Sequence, residues 1–215
     1  NGVRVVIKPT EFKQDEILFS AFSKGGQSLV ATEDLVSAAL ATDVISVSGI
    51  ADMTMTDLQK ALTGKNISLS PSINANTESI EGGTTVKDLE SLLQLNYLYF
   101  TAPRRDEDAY AMLMSVLESQ LANRDKNPKV AFSDSVSMMA NNYSPRTLIF
   151  NKEALTRADL DKSLEIYKAR FANPADFIFT FVGNVNPDDE AFQQLVCTWI
   201  GGLKTSKKKE AVRDN

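Results

Sequence analysis

The stretch from Thr156 to Gly202 constrains this chain more than any other, because it alternates helix, strand and helix with a stop at each junction. Thr156 is expected to open a helix, with Asp159 completing a capping-box-like pair and Leu155 stapling to Leu160. Leu160, Leu164, Tyr167 and Phe171 mark its buried side. Asn173-Pro174 breaks it, since a residue before proline is pushed out of the helical region. Phe177 to Val182 (FIFTFV) is nearly continuous in apolar residues, the pattern of a strand inside a sheet. Gly183-Asn184 turns the chain, and Pro187, Asp188, Asp189 and Glu190 start a last helix that carries Phe192, Leu195, Val196 and Trp199 inward. Gly201-Gly202 ends it. Such a chain needs a sheet with helices packed on it.

The preceding residues supply the rest of that sheet. Val3 to Lys8 (VRVVIK) and Ile17 to Phe22 (ILFSAF) are β-branched and apolar, and are expected to pair as two strands. Thr32 before Glu33 and Asp34 predicts a helix start, with Leu35, Ala38, Ala39 and Thr42 on one face. A short helix is expected from Thr54 to Leu62, stopped by Gly64. From Asn66 to Thr85 the pattern alternates, with Ile67, Leu69, Pro71 and Ile73 on one side, which predicts a strand pair turning near Asn74 to Asn76. Pro71 lacks a ladder donor, so its strand suits a sheet edge or a register with the proline nitrogen pointing outward, and an exposed edge is where an extended peptide could add.

Helices dominate the next stretch. Leu89, Leu93, Tyr97 and Phe100 share a face of one that Pro103 ends. Tyr110, Leu113, Leu117 and Leu121 form the stripe of another, from Asp106 to Leu121. A third runs from Pro128 to Ala140, where the Met138-Met139 pair is expected to fill core space. Asn141 to Phe150 suits a surface loop. No linker rich in Pro, Gly or Ser and no repeat divides the chain, so residues 1–203 are expected to form one domain, with 204–215 a charged tail.

Chemistry is conspicuous by what is missing: among 215 residues there is no histidine. The remaining candidates each have a plainer explanation. Cys197 is the only cysteine, which excludes an internal disulfide, and it is expected on the inward side of its helix as an inert thiol. Ser206 to Lys209 is the one Ser-x-x-Lys, placed in the tail. Asp106 to Asp108 and Asp188 to Glu190 fall at helix starts, where the dipole explains them. Gly25-Gly26, Gly82-Gly83 and Gly201-Gly202 lack phosphate-loop spacing and suit turns and strand ends. Asn66-Ile67-Ser68 and Asn142-Tyr143-Ser144 match the glycosylation pattern, one in an expected strand and the other before Pro145. Arg104-Arg105 could meet an acidic peptide, but a solvated basic pair at a helix junction is the simpler description. With 28 acidic against 23 basic residues and only Lys204 and Lys207 to Lys209 clustered, the charge argues against nucleic acid. No apolar run approaches the ~18 residues of a spanning helix, which argues against membrane insertion. No catalytic residue and no metal ligand is assigned, and no substrate-binding residue stands out. The chain begins at Asn1 with neither methionine nor a signal-like region, as an excised piece of a longer protein would.

Four segments carry a resemblance: LTRADL (Leu155 to Leu160), YKARFANP (Tyr167 to Pro174), FIFTFVGNV (Phe177 to Val185) and the opening NGVRVV (Asn1 to Val6). Together they resemble a domain of the pitrilysin and insulinase (inverzincin) zinc metallopeptidases. The resemblance implies an α+β fold, a mostly antiparallel twisted sheet with helices on one side, as in mitochondrial processing peptidase-like metallohydrolase domains. In that family four such domains close like a clamshell around peptides. The zinc motif His-x-x-Glu-His belongs on the helix after the first strand pair, and the matching stretch here is Asp34 to Ser46 (DLVSAALATDVIS), which has neither histidine nor the Glu-His pair. The resemblance therefore implies a non-catalytic domain of a multidomain zinc metalloendopeptidase. It would help form the chamber that confines peptide substrates, with other domains of the same polypeptide as partners, and zinc held elsewhere in the parent. It also favours a bacterial periplasmic or envelope setting. An inactive scaffold subunit of the same family and a free-standing peptide-binding module are the alternatives.

Overall fold

The structure, a computed structural model, describes residues 2–206. Five strands form one sheet: β1 (Arg4–Pro9), β2 (Ile17–Lys24), β3 (Ile67–Ile73), β4 (Thr77–Thr84) and β5 (Ile178–Gly183). Their order is β1-β5-β2-β4-β3, with β1 parallel to β5 and every other pair antiparallel. The fold is α+β, as the resemblance implies.

The expected pairing of the first two strands is wrong. Strand β5 lies between them, bonded to β1 on one side and β2 on the other. Both early strands are apolar enough to accept either neighbour, and the near-continuous apolar run of β5 is what takes the interior position. The expectation for β3 and β4 holds: they form a hairpin, and β3 with Pro71 is an edge strand.

Eight helices complete the described fold: α1 (Leu35–Ser48), α2 (Met55–Ala61), α3 (Leu89–Thr101), α4 (Glu107–Leu121), α5 (Pro128–Ala140), α6 (Lys152–Leu155), α7 (Leu160–Arg170) and α8 (Glu190–Trp199). Thr32 does not cap α1. Residues Thr32–Asp34 form a 3-10 turn, and α1 follows without a side-chain cap. Nor is one face of α1 enough to describe it, because Leu35, Val36, Ala38, Leu40, Ala41, Val44 and Ile45 are all buried. The helix packs on α7, α4 and β3, which surround it on several sides. Serines permit the close α1–α7 approach: Ser163 Oγ donates to Ser37 O at 3.0 Å, and Asp159 N donates to Ser37 Oγ at 3.1 Å.

Local start signals explain most other helix boundaries. Thr54 and Asp57 form a reciprocal capping box on α2. Asp106 caps α4 by accepting from Ala109 N at 2.9 Å. The helix expected to open at Thr156 opens instead after Asp159, whose carboxylate accepts from Lys162 N at 2.7 Å. Thr156 closes the one-turn α6. An ionised aspartate is the stronger acceptor at a helix N-terminus, so it sets the boundary.

The core lies between the sheet and the helices. Phe171 stacks on Tyr167 with ring centroids 4.6 Å apart, and Phe100 meets Phe177 edge-on at 5.0 Å. Tyr167 is fully enclosed, and its hydroxyl donates to Tyr99 O at 3.1 Å. Ser206 N donates to Asn173 Oδ1 at 2.8 Å, so the beginning of the expected tail lies against the domain. Residues 207–215, with the lysine cluster and the rest of the Ser-x-x-Lys, lie outside the described residues.

Candidate functional site

The register sorts every strand residue onto one of two faces, because paired residues project to the same side and successive residues to opposite sides. One face is core: Phe179 pairs with Val5 and Ala21, and Phe181 with Ile7 and Phe19. The other face is open. Its first row is Arg4, Ile178, Phe22, Ser79 and Ser72. Its second is Val6, Thr180, Ser20, Glu81 and Ser70, and its third is Lys8, Val182, Leu18, Gly83 and Ser68. Of these residues only Ser79 is buried.

This face changes character across the sheet. Val6, Leu18, Phe22, Ile178 and Val182 make the β1-β5-β2 side apolar, and Leu18 and Phe22 are 50% and 38% exposed. Serines 68, 70 and 72 with Glu81 make the β4-β3 side hydroxylic and acidic. A groove of about 950 Å³ lies over this second half, lined by Leu18, Ser20, Ser68, Glu81 and Gly83 among others. Gly82 and Gly83 sit inside β4 and not at a strand end, contrary to expectation. A Cβ at Gly82 would collide with the Ser68 carbonyl, so glycine is what lets β3 come close there.

The sheet edges are less accommodating than the face. Tyr99 Oη donates to Leu69 O at 3.4 Å and Gln27 Nε2 to Ile73 O at 3.2 Å, which shows that the odd-numbered backbone groups of β3 point away from β4. Pro71 shares that direction and has no N–H, so little of β3 remains for an added strand. On the opposite edge, Thr10 N donates to Gly183 O at 2.8 Å, which turns Val5, Ile7 and Pro9 outward. Proline again removes a donor.

The described residues offer zinc no set of ligands. The helix α1 is the stretch that the resemblance matches to the zinc motif, and apart from Asp43 its side chains are aliphatic or hydroxylic, the buried ones packed toward α7, α4 and β3. Its one carboxylate, Asp43, has its pKa raised by desolvation and no second acid beside it on the helix. Among the described residues no three of Cys, Asp or Glu come together as a metal would require.

The other residues singled out by sequence are also engaged or misplaced. Arg104 bonds to Asp106 and to Ser48 O, and Arg105 forks onto Asp161 at 2.6 and 3.2 Å while reaching Glu107. Arg105 is exposed and Arg104 half-buried at the junction of α3 and α4, and both guanidiniums already hold carboxylates. Asp161 is held below the usual carboxylate range by Arg105. Cys197 is exposed, contrary to expectation. At 100° per residue it lies beyond Val196 and nearly opposite Trp199, so it falls outside the buried stripe. Met139 is exposed as well, and only Met138 of that pair is partly covered.

Sequence reasoning missed the open face altogether. Its signal is the alternation within each strand, which becomes a surface only once the strand order is known.

This fold, a helix-backed sheet with one bare face and a largely aliphatic helix after its second strand, is similar to that of peptidase domains of the pitrilysin and insulinase type. No family model matches the chain. It is 25% identical over 206 residues to a zinc protease PQQL-like protein of Arabidopsis thaliana, covering 94% of this chain and 19% of that protein. Its fold is similar to that of the periplasmic protease PqqL from Escherichia coli, with a TM-score of 0.82, 21% identity and coverage of 99% of this chain and 23% of that one. It is also similar to a peptidase M16 inactive domain from Pseudomonas fluorescens, with a TM-score of 0.74, 13% identity and coverage of 99% and 51%. The chain spans about a fifth of the length of the curated relatives it matches, 19% and 22%. Among the described residues no helix is long and apolar enough to cross a membrane.

Proposed function

We propose that this chain is a non-catalytic domain of a multidomain zinc metalloendopeptidase, and that its open sheet face forms part of the wall of the chamber confining peptide substrates. Hydrolysis belongs to a zinc-bearing domain elsewhere in the same polypeptide. The observation that carries this reading is the bare face itself: a sheet packed on one side only, presenting apolar residues beside a hydroxyl-lined groove. Such a surface suits extended peptides, whose side chains alternate between apolar and polar and whose backbone needs hydrogen-bonding partners. Zinc in the parent and a periplasmic setting follow from the likeness to the PqqL proteins and stand or fall with it.

The test is peptide hydrolysis by the remainder of the polypeptide, with and without this chain supplied in trans. Activity that requires the added chain supports the wall. Equal activity in both removes it.

A further inference from the structure

Helix α5 is built inside out. Val130, Asp134, Ser137 and Met138 are its half-buried residues, while Phe132, Val136 and Met139 stand in solvent at 71%, 46% and 64% exposure. The exposed three recur at i, i+4 and i+7, the single-face spacing of an amphipathic helix. No residue of α5 is buried, and none of its apolar side chains packs against the core. Its attachment is polar instead. Arg124, in the 3-10 turn before it, donates to the two oxygens of Asp134 at 2.6 and 2.7 Å. Asn127 caps its start, accepting from Lys129 N at 3.1 Å.

A helix of this length is marginal in water unless an apolar face is packed. In α5 the face that could be packed points away from everything described. Lys129 and Asp134 are the helix's only charged residues; Asp134 is turned to Arg124, and Lys129, three residues before Phe132, lies exposed beside the N-terminal end of the stripe. A complementary surface must therefore be mainly apolar, with room for one cation at its edge. Scattered surface hydrophobics need no explanation, but three aligned on one unsupported helix mark an interaction site.

We propose that the Phe132, Val136 and Met139 stripe is the surface on which another domain of the same polypeptide seats an apolar face. This rests on the multidomain reading above. Length favours that occupant over a second copy: the chain matches only about a fifth of its curated relatives, so most of a polypeptide of that kind lies outside it.

Hydrogen exchange over residues 128–140 tests the proposal, measured in this chain and in the full-length polypeptide. In the full-length form these amides should exchange at least about tenfold more slowly than in the chain alone. The double variant Phe132→Asp, Val136→Asp should restore fast exchange there, while shifting the melting midpoint of the isolated chain by no more than about 2 °C, because both sites are exposed. Equal exchange in the two forms overturns the proposal, as does a full-length product with no further domain. Protection that appears in the isolated chain and grows with its concentration would assign the stripe to a second copy, and overturns it too. Peptide hydrolysis by the same samples reports separately on the chamber. Protection without hydrolysis keeps the docking surface and removes the enzyme reading, and hydrolysis without protection does the reverse.

Discussion

Removing a phenyl ring from each side of the sheet measures directly whether one face is bare. Phe179 is fully buried, with the rings of Phe100, Phe19 and Phe177 at 5.8, 6.3 and 6.4 Å. Phe179→Ala loses roughly 2 kcal/mol of transfer free energy. It also leaves a cavity of roughly 80–100 Å³, which at ~24 cal/mol per Å³ adds about 2 kcal/mol. The expected cost is about 4 kcal/mol. Phe22 belongs to a neighbouring row of the opposite face and is 38% exposed. Phe22→Ala forgoes only part of the transfer term and opens no cavity that water cannot enter, so about 1 kcal/mol is expected. Urea denaturation with the slope held common to both variants reads the difference. Equal losses would mean that Phe22 is covered in solution, and the bare face would be refuted.

Other consequences are smaller but as definite. Tyr167→Phe removes the buried hydroxyl that donates to Tyr99 O, and should cost about 1–2 kcal/mol by chemical denaturation. Thr54→Ala breaks the capping box of α2 and should cost about 1 kcal/mol by the same measurement. Cys197, being exposed, should react with a thiol reagent in the folded chain at a rate within about tenfold of the unfolded rate, whereas strong protection would restore the inward placement. Asp134 is held below its ordinary value of 3.8 chiefly by its hydrogen bond from Arg124. A depressed folded pKa means that its stabilising contribution is complete above that ordinary value and disappears as pH falls through the folded one. Amide exchange in α5 should therefore be unchanged from pH 7 to about 5 after correction for intrinsic rates, and accelerate at lower pH; Asp134→Asn should show the fast form already at neutral pH.

Where the instructions are local, the sequence is enough to find them. Pro71 announces an edge strand, Asp106 a helix start, and Leu160, Leu164, Tyr167 and Phe171 a buried stripe, and all are found as expected. These features depend on neighbours within a turn or a strand. The placement of β5 between β1 and β2 does not, since it joins segments separated by more than 150 residues, and either apolar strand could have accepted the other. The face of Cys197 and the outward stripe of α5 fail for another reason: apolar spacing tells which residues share a side, but not which side meets the domain. The open sheet face combines both difficulties, because Val6, Thr180, Ser20, Glu81 and Ser70 become one row only through three pairings. The lack of a His-x-x-Glu-His motif is read from the sequence alone, since the chain contains no histidine.

The wall can be tested by contact. A photoreactive residue placed at Ser20 or Ser70 on the open face, in the full-length polypeptide held in a metal chelator, should crosslink to a bound substrate peptide. The same residue at exposed Glu165 on α7 should not. Labelling from Glu165 equal to that from Ser20 and Ser70, or none from the open face while peptide is bound, would contradict the account.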